Sequence, residues 1–226
     1  MDAVWSNFDL VLKAFWLTIL LFVVSGLLSL LLGTLLAAMR VGPVPVLSRA
    51  GAAYVLLVRN TPLLVMFILV TVALPDIDWG IPDLHLGPLE VSNYFAQGLV
   101  ALSVYTSSFV CEAVRSGINA VPLGQAEAAR SVGMDFGQVM RSVVLPQAFR
   151  ASIPPLASVQ IALVKNTSVA AVFGIAEATF RMRYFTNNDV SARNQIFLMF
   201  AIGYVIIVEM VSFGSNRLER RVRTAR

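Results

Sequence analysis

Charged and polar residues interrupt several apolar stretches of this sequence, and they are its candidates for chemistry. Two interruptions stand near the middle of long apolar runs, and their members are Arg59, Asn60, Thr61, Lys165, Asn166, Thr167 and Ser168. A third holds Glu112 and Arg115, which are three residues apart and would share one helix face. Side chains of these types can bind ionic ligands or pair with each other, and they are costly to leave facing lipid.

The residue inventory argues against catalysis and against a metal centre. The chain has one cysteine, Cys111, and one histidine, His85, which are too few for a metal site built from this chain alone. The pattern contains no Ser/His/Asp set and no phosphate-binding G-x-x-x-x-G-K-[ST] sequence. We therefore expect a chain that is not an enzyme, holds no cofactor of its own and cannot bind ATP by that device.

Composition places these segments in a lipid bilayer. The chain has 226 residues, of which 58% are hydrophobic and 13% charged, and its mean hydropathy is +0.77. A soluble domain carries roughly twice that share of charged residues. A spanning helix needs about 20 apolar residues, and five runs are long enough: approximately 12–39, 50–74, 94–114, 151–176 and 195–214. Because a lone strand in lipid leaves backbone groups unsatisfied, we expect one all-α membrane domain over residues 1–226.

The charges between the apolar runs predict an orientation. Arg40 and Arg49 flank the first loop, whereas the next loop, 75–93, carries four acidic residues and no lysine or arginine. The third loop and the C-terminal tail are again rich in arginine. Since basic loops face the cytoplasm, we expect an outer N-terminus and a cytoplasmic C-terminus. The loop 177–193 disagrees with this pattern because it contains three arginines.

Residues 117–150 are too polar to span a membrane and too regular for an unstructured loop. Gly124 and Gly133 precede two short helical stretches, 125–132 and 136–144, and Pro146 is expected to start the next element. Helical spacing predicts that one side of the first stretch is apolar and the other exposed, with Ala128, Ala129 and Val132 on the former and Glu127 and Arg130 on the latter. This pattern fits either an ordinary interfacial helix or a contact surface for a soluble partner.

The spacing within this segment carries a resemblance. Glu127-Ala128-Ala129, three residues, Gly133, nine residues, Val143 and then Leu145-Pro146 resembles the EAA loop of ABC importer permeases. Flanking segments are similar to the polar amino-acid permeases of the histidine/glutamate/glutamine type, and the sequence as a whole resembles glutamate permease subunits. Those segments are residues 59–64, 112–118, 124–129, 145–148 and 163–168. We call residues 117–150 the coupling segment.

The resemblance implies a type I ABC importer permease fold in an importer assembled from separate chains. Two cytoplasmic ATPases would bind ATP and Mg, a second permease chain, identical or related, would complete the pathway, and an extracytoplasmic binding protein would deliver the substrate. It implies a bacterial cell membrane location and no nucleic-acid partner. The residues that would couple to the ATPase are Gly124, Glu127, Ala128, Ala129, Gly133, Leu145 and Pro146.

The interrupted runs are candidates for the substrate pathway because broken helices at mid-depth are typical of transporters. Members of the resembled family that carry an acid after the lysine would suit cationic amino acids, but this chain has neutral Asn166. With Arg59 and Lys165 nearby, we expect glutamate, glutamine or aspartate. The alternative is that Pro62 makes a simple kink and that Lys165 pairs with a neighbouring carboxylate.

Two other interpretations stay open at this point. Glu112 and Arg115 form either a structural pair or part of a gate near the cytoplasmic end of the third span, and Glu209 is expected near the cytoplasmic end of the fifth. A secondary transporter or channel subunit, not driven by ATP, would also use intramembrane charge.

Overall fold

The computed structural model describes residues 2–80, 84–86 and 89–224, and it is helical over most of that length. Part of the acidic loop, including Asp83, lies outside these residues. The α-helices, numbered in chain order, are α1 (Asp2–Trp5), α2 (Phe8–Val41), α3 (Pro45–Asn60), α4 (Leu63–Ile68), α5 (Asn93–Asn119), α6 (Leu123–Ser131), α7 (Phe136–Val139), α8 (Leu145–Asn166), α9 (Ala178–Asn188) and α10 (Arg193–Thr224).

Tighter or wider helical turns continue three of these helices. Leu69–Ala73 and Pro75–Ile77 follow α4, Met140–Val144 joins α7 to α8, and Thr167–Phe173 continues α8. The acidic loop also contains a small antiparallel ribbon, in which β1 (Leu84–Leu86) pairs with β2 (Leu89–Val91). The all-α prediction therefore describes the spans, and this ribbon is an addition outside them.

The predicted spans correspond to helices that are longer than the apolar runs alone. Four helical stretches of the described chain are long and apolar enough to cross a membrane, and the bent pair α3–α4 makes a fifth candidate. The fourth crossing is one continuous helical stretch, Phe136–Phe173. As expected, a new element begins at Pro146: α8 starts at Leu145 and holds this proline in its first turn, where no backbone donor is needed. The preceding π turn, Met140–Val144, joins α8 to α7 without a gap.

The second crossing is bent far more sharply than a simple proline kink. The axes of Pro45–Asn60 and Leu63–Ile77 differ by 107°. Pro62 lacks a backbone donor, and a residue before proline avoids the α conformation, which explains the extended backbone of Thr61 at φ −91° and ψ 128°. The bend places Arg59 and Asn60 at the exposed end of α3.

Helix α5 is the central element of the bundle. Its span is 61% buried, whereas that of α10 is only 11% buried. The main apolar cluster packs α5 against α2, α4 and α8 through Leu21, Phe67, Leu102 and Leu163, all of which are fully buried. Peripheral α10 therefore leaves most of its surface for lipid or for another chain.

A buried carboxylate fixes α9 between α2 and α10. Glu177, whose side chain has no exposed surface, caps α9 by accepting a hydrogen bond from the Phe180 backbone amide at 2.9 Å. It also accepts hydrogen bonds from the Thr18 hydroxyl at 3.3 Å and the Tyr204 hydroxyl at 2.5 Å. Thr18 in turn accepts from the Ala178 amide at 3.0 Å. One carboxyl thus ties the connection between α8 and α10 to the first and last long helices.

Replacing Glu177 with glutamine should change how stability depends on pH. Burial raises the pKa of Glu177 above its usual 4.5, so the folded chain retains a proton that the unfolded chain releases. Wild-type stability should then fall as pH rises above the ordinary pKa of 4.5 towards the raised pKa of the folded chain, and Glu177→Gln should remove that part of the decline. Thermal unfolding in detergent at several pH values measures this, with exposed Glu127→Gln as the control. Parallel pH profiles for wild type and Glu177→Gln would contradict the expectation.

Candidate functional site

A carboxylate on α5 lies between two arginines. Glu112 accepts a hydrogen bond from Arg40 at the end of α2, and Arg115 lies 3.3 Å from its other oxygen. The predicted pair of Glu112 and Arg115 is therefore present, and the structure adds Arg40. Sequence reasoning missed Arg40 because the two residues are 72 positions apart. Its place at the end of an apolar run indicated only membrane orientation.

Arg59 and Asn60 line a cavity beside this cluster. The Arg59 guanidinium lies 5.2 Å from the centre of the Phe109 ring on α5. Arg40, Glu112 and Phe109 also contribute to the cavity, which has a volume of about 510 Å³. Two guanidinium groups and one carboxylate give its lining an excess of positive charge, which suits an anionic group. The third member of this interruption, Thr61, donates its hydroxyl to the Leu57 carbonyl at 2.8 Å and so helps to end α3.

Asn166 lines an adjoining cavity of about 310 Å³ between α5 and α8. Tyr105, Thr106 and Ser158 supply its other polar groups, and Phe109 belongs to both this cavity and the one at Arg59. Phe109 is therefore the shared wall between the two predicted interruptions, and no acidic residue lines the Asn166 cavity.

Lys165 and Ser168 lie on a different side of α8. They line a cavity of about 390 Å³ that α9 and α10 complete, and Glu209 stands on its α10 wall. Thr167 is fully buried and donates to the Val164 carbonyl at 2.7 Å, so it stabilises the helix end and does not line a cavity. No carboxylate oxygen of the described residues lies within 4.0 Å of the Lys165 ammonium. The interruption predicted as one site is thus divided between two cavities.

The coupling segment forms two short helices joined by a turn that requires glycine. Gly133 has a φ of +91°, and its amide donates to the Arg130 carbonyl at 2.9 Å while the Met134 amide donates to Ala129 at 3.2 Å. These two bonds make the Schellman motif that ends α6. A capping box between Asp135 and Gln138 then starts α7.

One face of the first short helix differs from the prediction. Ala129 is buried against Val139 and Val144, but Ala128 is exposed and Val132 is 79% exposed. The turn at Gly133 folds α7 back over the Ala129 side only, which leaves the other apolar side chains uncovered. Large apolar side chains are accordingly exposed on this surface at Leu123 (80%), Val132 and Phe136 (52%). Such a cluster is typical of a contact surface for another protein.

The remaining predicted coupling residues lie on or beside this surface. Gly124, Glu127, Leu145 and Pro146 are exposed. The Gln147 side-chain amide donates to Gln125 on α6 at 2.5 Å, which ties the first short helix to the start of α8. Gly117 of α5 packs closely against Ser152 of α8, so that a β-carbon at position 117 would lie 1.9 Å from the Ser152 hydroxyl. The surface is therefore joined directly to two spans.

Within the described ranges, no group of three or more His, Cys, Asp and Glu side chains is placed to hold a metal ion. Cys111 is buried and free, and it lies beside Arg40 at 3.8 Å.

Glu112→Gln should destabilise the bundle by leaving Arg40 without its anionic partner. The Arg40 side chain is only 14% exposed and that of Glu112 is 31% exposed, so we expect a loss of about 1–3 kcal/mol, below the range for fully buried pairs. Thermal unfolding of Glu112→Gln, Arg40→Met and the double variant measures the interaction energy between Arg40 and Glu112. The double variant should lose less than the sum of the single losses, and strictly additive losses would show that the pair contributes nothing.

Comparison with known proteins agrees with this geometry. Residues 29–224 match the family model described as the inner membrane component of binding-protein-dependent transport systems. The glutamate transport system permease protein GluC of Corynebacterium efficiens is 38% identical over 224 residues, covering 98% of each chain. GlnM of Bacillus subtilis, named as a probable glutamine ABC transporter permease protein, is 34% identical over 217 residues, covering 96% of this chain and 95% of that one.

A solved structure described as an amino acid ABC transporter with histidines superposes with a TM-score of 0.85 at 27% identity, covering 97% of each chain. The fold is that of type I ABC importer permeases. In such systems a separate subunit hydrolyses ATP, so this chain is a transport subunit and not an enzyme. By its sequence and its fold, the chain belongs to the family of binding-protein-dependent transport system inner membrane components.

Proposed function

We propose that this chain forms one half of the membrane pathway of an ATP-driven importer for an acidic or neutral polar amino acid. The observation that carries the proposal is the exposed apolar surface of the coupling segment at Leu123, Val132 and Phe136. A soluble ATPase is the partner that such a surface fits in this family. The relatives named for glutamate and glutamine support the substrate class.

The helical stretch Phe136–Phe173 supplies a mechanical connection for this function. It begins on the coupling surface and continues to Lys165 and Asn166, a distance of about 45 Å along a helix of 30 residues. Movement of the ATPase against the coupling surface would therefore displace the cavity walls at the other end. Schellman and capping-box bonds make the coupling hairpin rigid enough to transmit that movement.

The importer would need further chains. A second permease subunit, a pair of cytoplasmic ATPases that bind ATP and Mg, and an extracytoplasmic binding protein complete the proposed assembly. The coupling segment and the basic C-terminal end of α10 would face the cytoplasm, and the N-terminus would face outside, as the loop charges favour.

The two cavities that share Phe109 support a substrate without net positive charge. One is lined by Arg40 and Arg59 with a single carboxylate, and the other presents neutral Asn166 among hydroxyl groups. A cationic side chain would find no unpaired acid there, because Glu112 already contacts two arginines. Glutamate, glutamine and aspartate are the amino acids that this lining would accept.

Gly133→Arg should uncouple transport from ATP hydrolysis. A side chain is strained at a φ of +91°, although nothing lies within 4 Å of the added β-carbon, so the turn should change while the spans insert normally. Substrate-stimulated ATPase activity in proteoliposomes should fall at least about tenfold, a loss of about 1.4 kcal/mol in coupling. Gly133→Asn, which tolerates this conformation better, should retain most activity. Wild-type stimulation in Gly133→Arg would contradict the proposed role.

Asn166→Asp should shift substrate preference towards cationic amino acids. The added carboxylate would enter a cavity that has no acid of its own, and an opposite charge within a few ångströms favours a cationic side chain. Competition by arginine and lysine against labelled glutamate uptake measures the shift. Neutral Asn166→Gln is the control for altered size. Wild-type uptake that only arginine or lysine inhibits would contradict the proposed substrate class, and an unchanged profile in Asn166→Asp would remove Asn166 from the pathway.

A further inference from the structure

One face of α5 lines both of the cavities that share Phe109. Tyr105, Phe109 and Glu112 follow each other at helical spacing, so their side chains lie along one face of the helix. Tyr105 belongs to the cavity at Asn166 and Glu112 to the cavity at Arg59, whereas Phe109 belongs to both. The ring of Phe109 therefore stands at the point where the two cavities meet.

The two cavities follow each other along the direction of α5, which runs from the acidic loop to the coupling segment. The cavity at Asn166 includes Tyr105, one turn nearer the acidic loop than Phe109, and we call it the outer cavity. The cavity at Arg59 includes Glu112, one turn nearer the coupling segment, and we call it the inner cavity. A substrate that moves from the outer to the inner cavity must therefore pass the Phe109 ring.

Two contacts hold the Phe109 ring in this position. The ring of Tyr105 lies on its outer-cavity side, with the two ring centres 5.1 Å apart and the ring planes inclined by 51°. The guanidinium carbon of Arg59 lies 5.2 Å from the centre of the Phe109 ring. Tilted aromatic pairs and cation–π contacts are both favourable, so the half-buried ring is stabilised between an aromatic and a cation.

The contact from Arg59 can be exchanged for a stronger one. Arg59 lies in the last turn of α3, beside the break at Pro62. No carboxylate oxygen of the described residues lies within 4.0 Å of its guanidinium, whereas Arg40 in the same cavity contacts Glu112. A carboxylate that entered the inner cavity would bind Arg59 more strongly than the ring does, because charge-assisted hydrogen bonds exceed cation–π contacts. The ring is thus held in place without being locked.

We propose that Phe109 is a gate residue on this chain's half of the pathway. With its ring between Tyr105 and Arg59, it closes the outer cavity towards the inner one and retains a substrate beside Asn166. Side chains occupy discrete staggered rotamers, so a change of rotamer moves the whole ring away from Arg59 and opens the passage. The inference rests on the proposed function in that it takes the two cavities to be parts of the transport route.

Thiol labelling measures this barrier in the complete transporter, in inside-out membrane vesicles without nucleotide. Cys111, the one cysteine of the chain, is first replaced by serine. Ala162→Cys then reports on the outer cavity and Ala52→Cys on the inner one, and a charged methanethiosulfonate reagent is added at the cytoplasmic side. Since a minor open state is populated to about 10% or less, Phe109→Ala should speed labelling of Ala162→Cys at least about tenfold. Labelling of Ala52→Cys should not change.

A second cation–π pair of the same dimensions supplies a matched control. Arg217 lies 5.2 Å from the ring centre of Phe213 on α10, and this ring is exposed and lines neither cavity. Phe213→Ala and Arg217→Gln should leave both labelling rates unchanged. Arg59→Gln removes the corresponding contact at Phe109, so it should speed labelling of the outer-cavity reporter in the same direction as Phe109→Ala.

Three results would overturn the gate. In the first, Ala162→Cys reacts as fast as Ala52→Cys while Phe109 is in place. In the second, Phe109→Ala leaves the labelling of Ala162→Cys unchanged. In the third, it speeds both reporters equally, which would indicate a loosened bundle. Uptake is measured separately: uptake that does not require ATP would overturn the proposed function alone, whereas ATP-driven uptake together with any of the three labelling results would overturn the gate alone.

Discussion

An ionic side chain inside a bilayer needs a partner, and this requirement governs how the bundle is arranged. Glu112 satisfies it by joining α2 to α5 through Arg40 while also contacting Arg115 on its own helix. Glu177 lies outside the spans, where it is buried and is held instead by two hydroxyls and a backbone amide from three elements. Both carboxyls therefore act as crosslinks between helices whose apolar surfaces alone would pack with little preference, because lipid is as apolar as leucine.

The second organising feature is the unbroken helical path from the coupling surface to the cavities. Its weak points lie within it: a π turn at Met140–Val144, and Pro154 and Pro155 inside α8. Prolines remove backbone donors, so this part of α8 can bend where a regular helix would resist. The Ser158 hydroxyl donates to the Pro154 carbonyl at 3.3 Å, which adds one hydrogen bond to this part of α8. A path that bends at these points would convert displacement at the coupling surface into tilting of the cavity wall.

Local rules predicted what depends on neighbouring residues. The lengths of the apolar runs predicted the spans, and Pro62 predicted the break in the second span. Gly133 predicted the turn between the short helices, because only glycine freely adopts its positive φ. Local sequence patterns could not predict contacts between distant parts of the chain. Arg40 pairs with Glu112, which is 72 positions away, and nothing in the sequence distinguished Glu177 from the other acidic residues of the loops. Periodicity alone placed Ala128 and Val132 on a buried side, because it cannot say how much of a helix its neighbour covers. The direct passage from the turn Met140–Val144 into α8 depends on the π-helical conformation of that turn, which the sequence did not reveal.

The division of residues 165–168 between two cavities follows from helical geometry. Successive residues point about 100° apart, so Lys165 and Asn166 cannot face the same wall of a packed helix. Asn166 turns towards α5 and Phe109, whereas Lys165 and Ser168 turn towards α9 and α10. A single turn thus serves a neutral face directed at the interior and a charged face directed outwards.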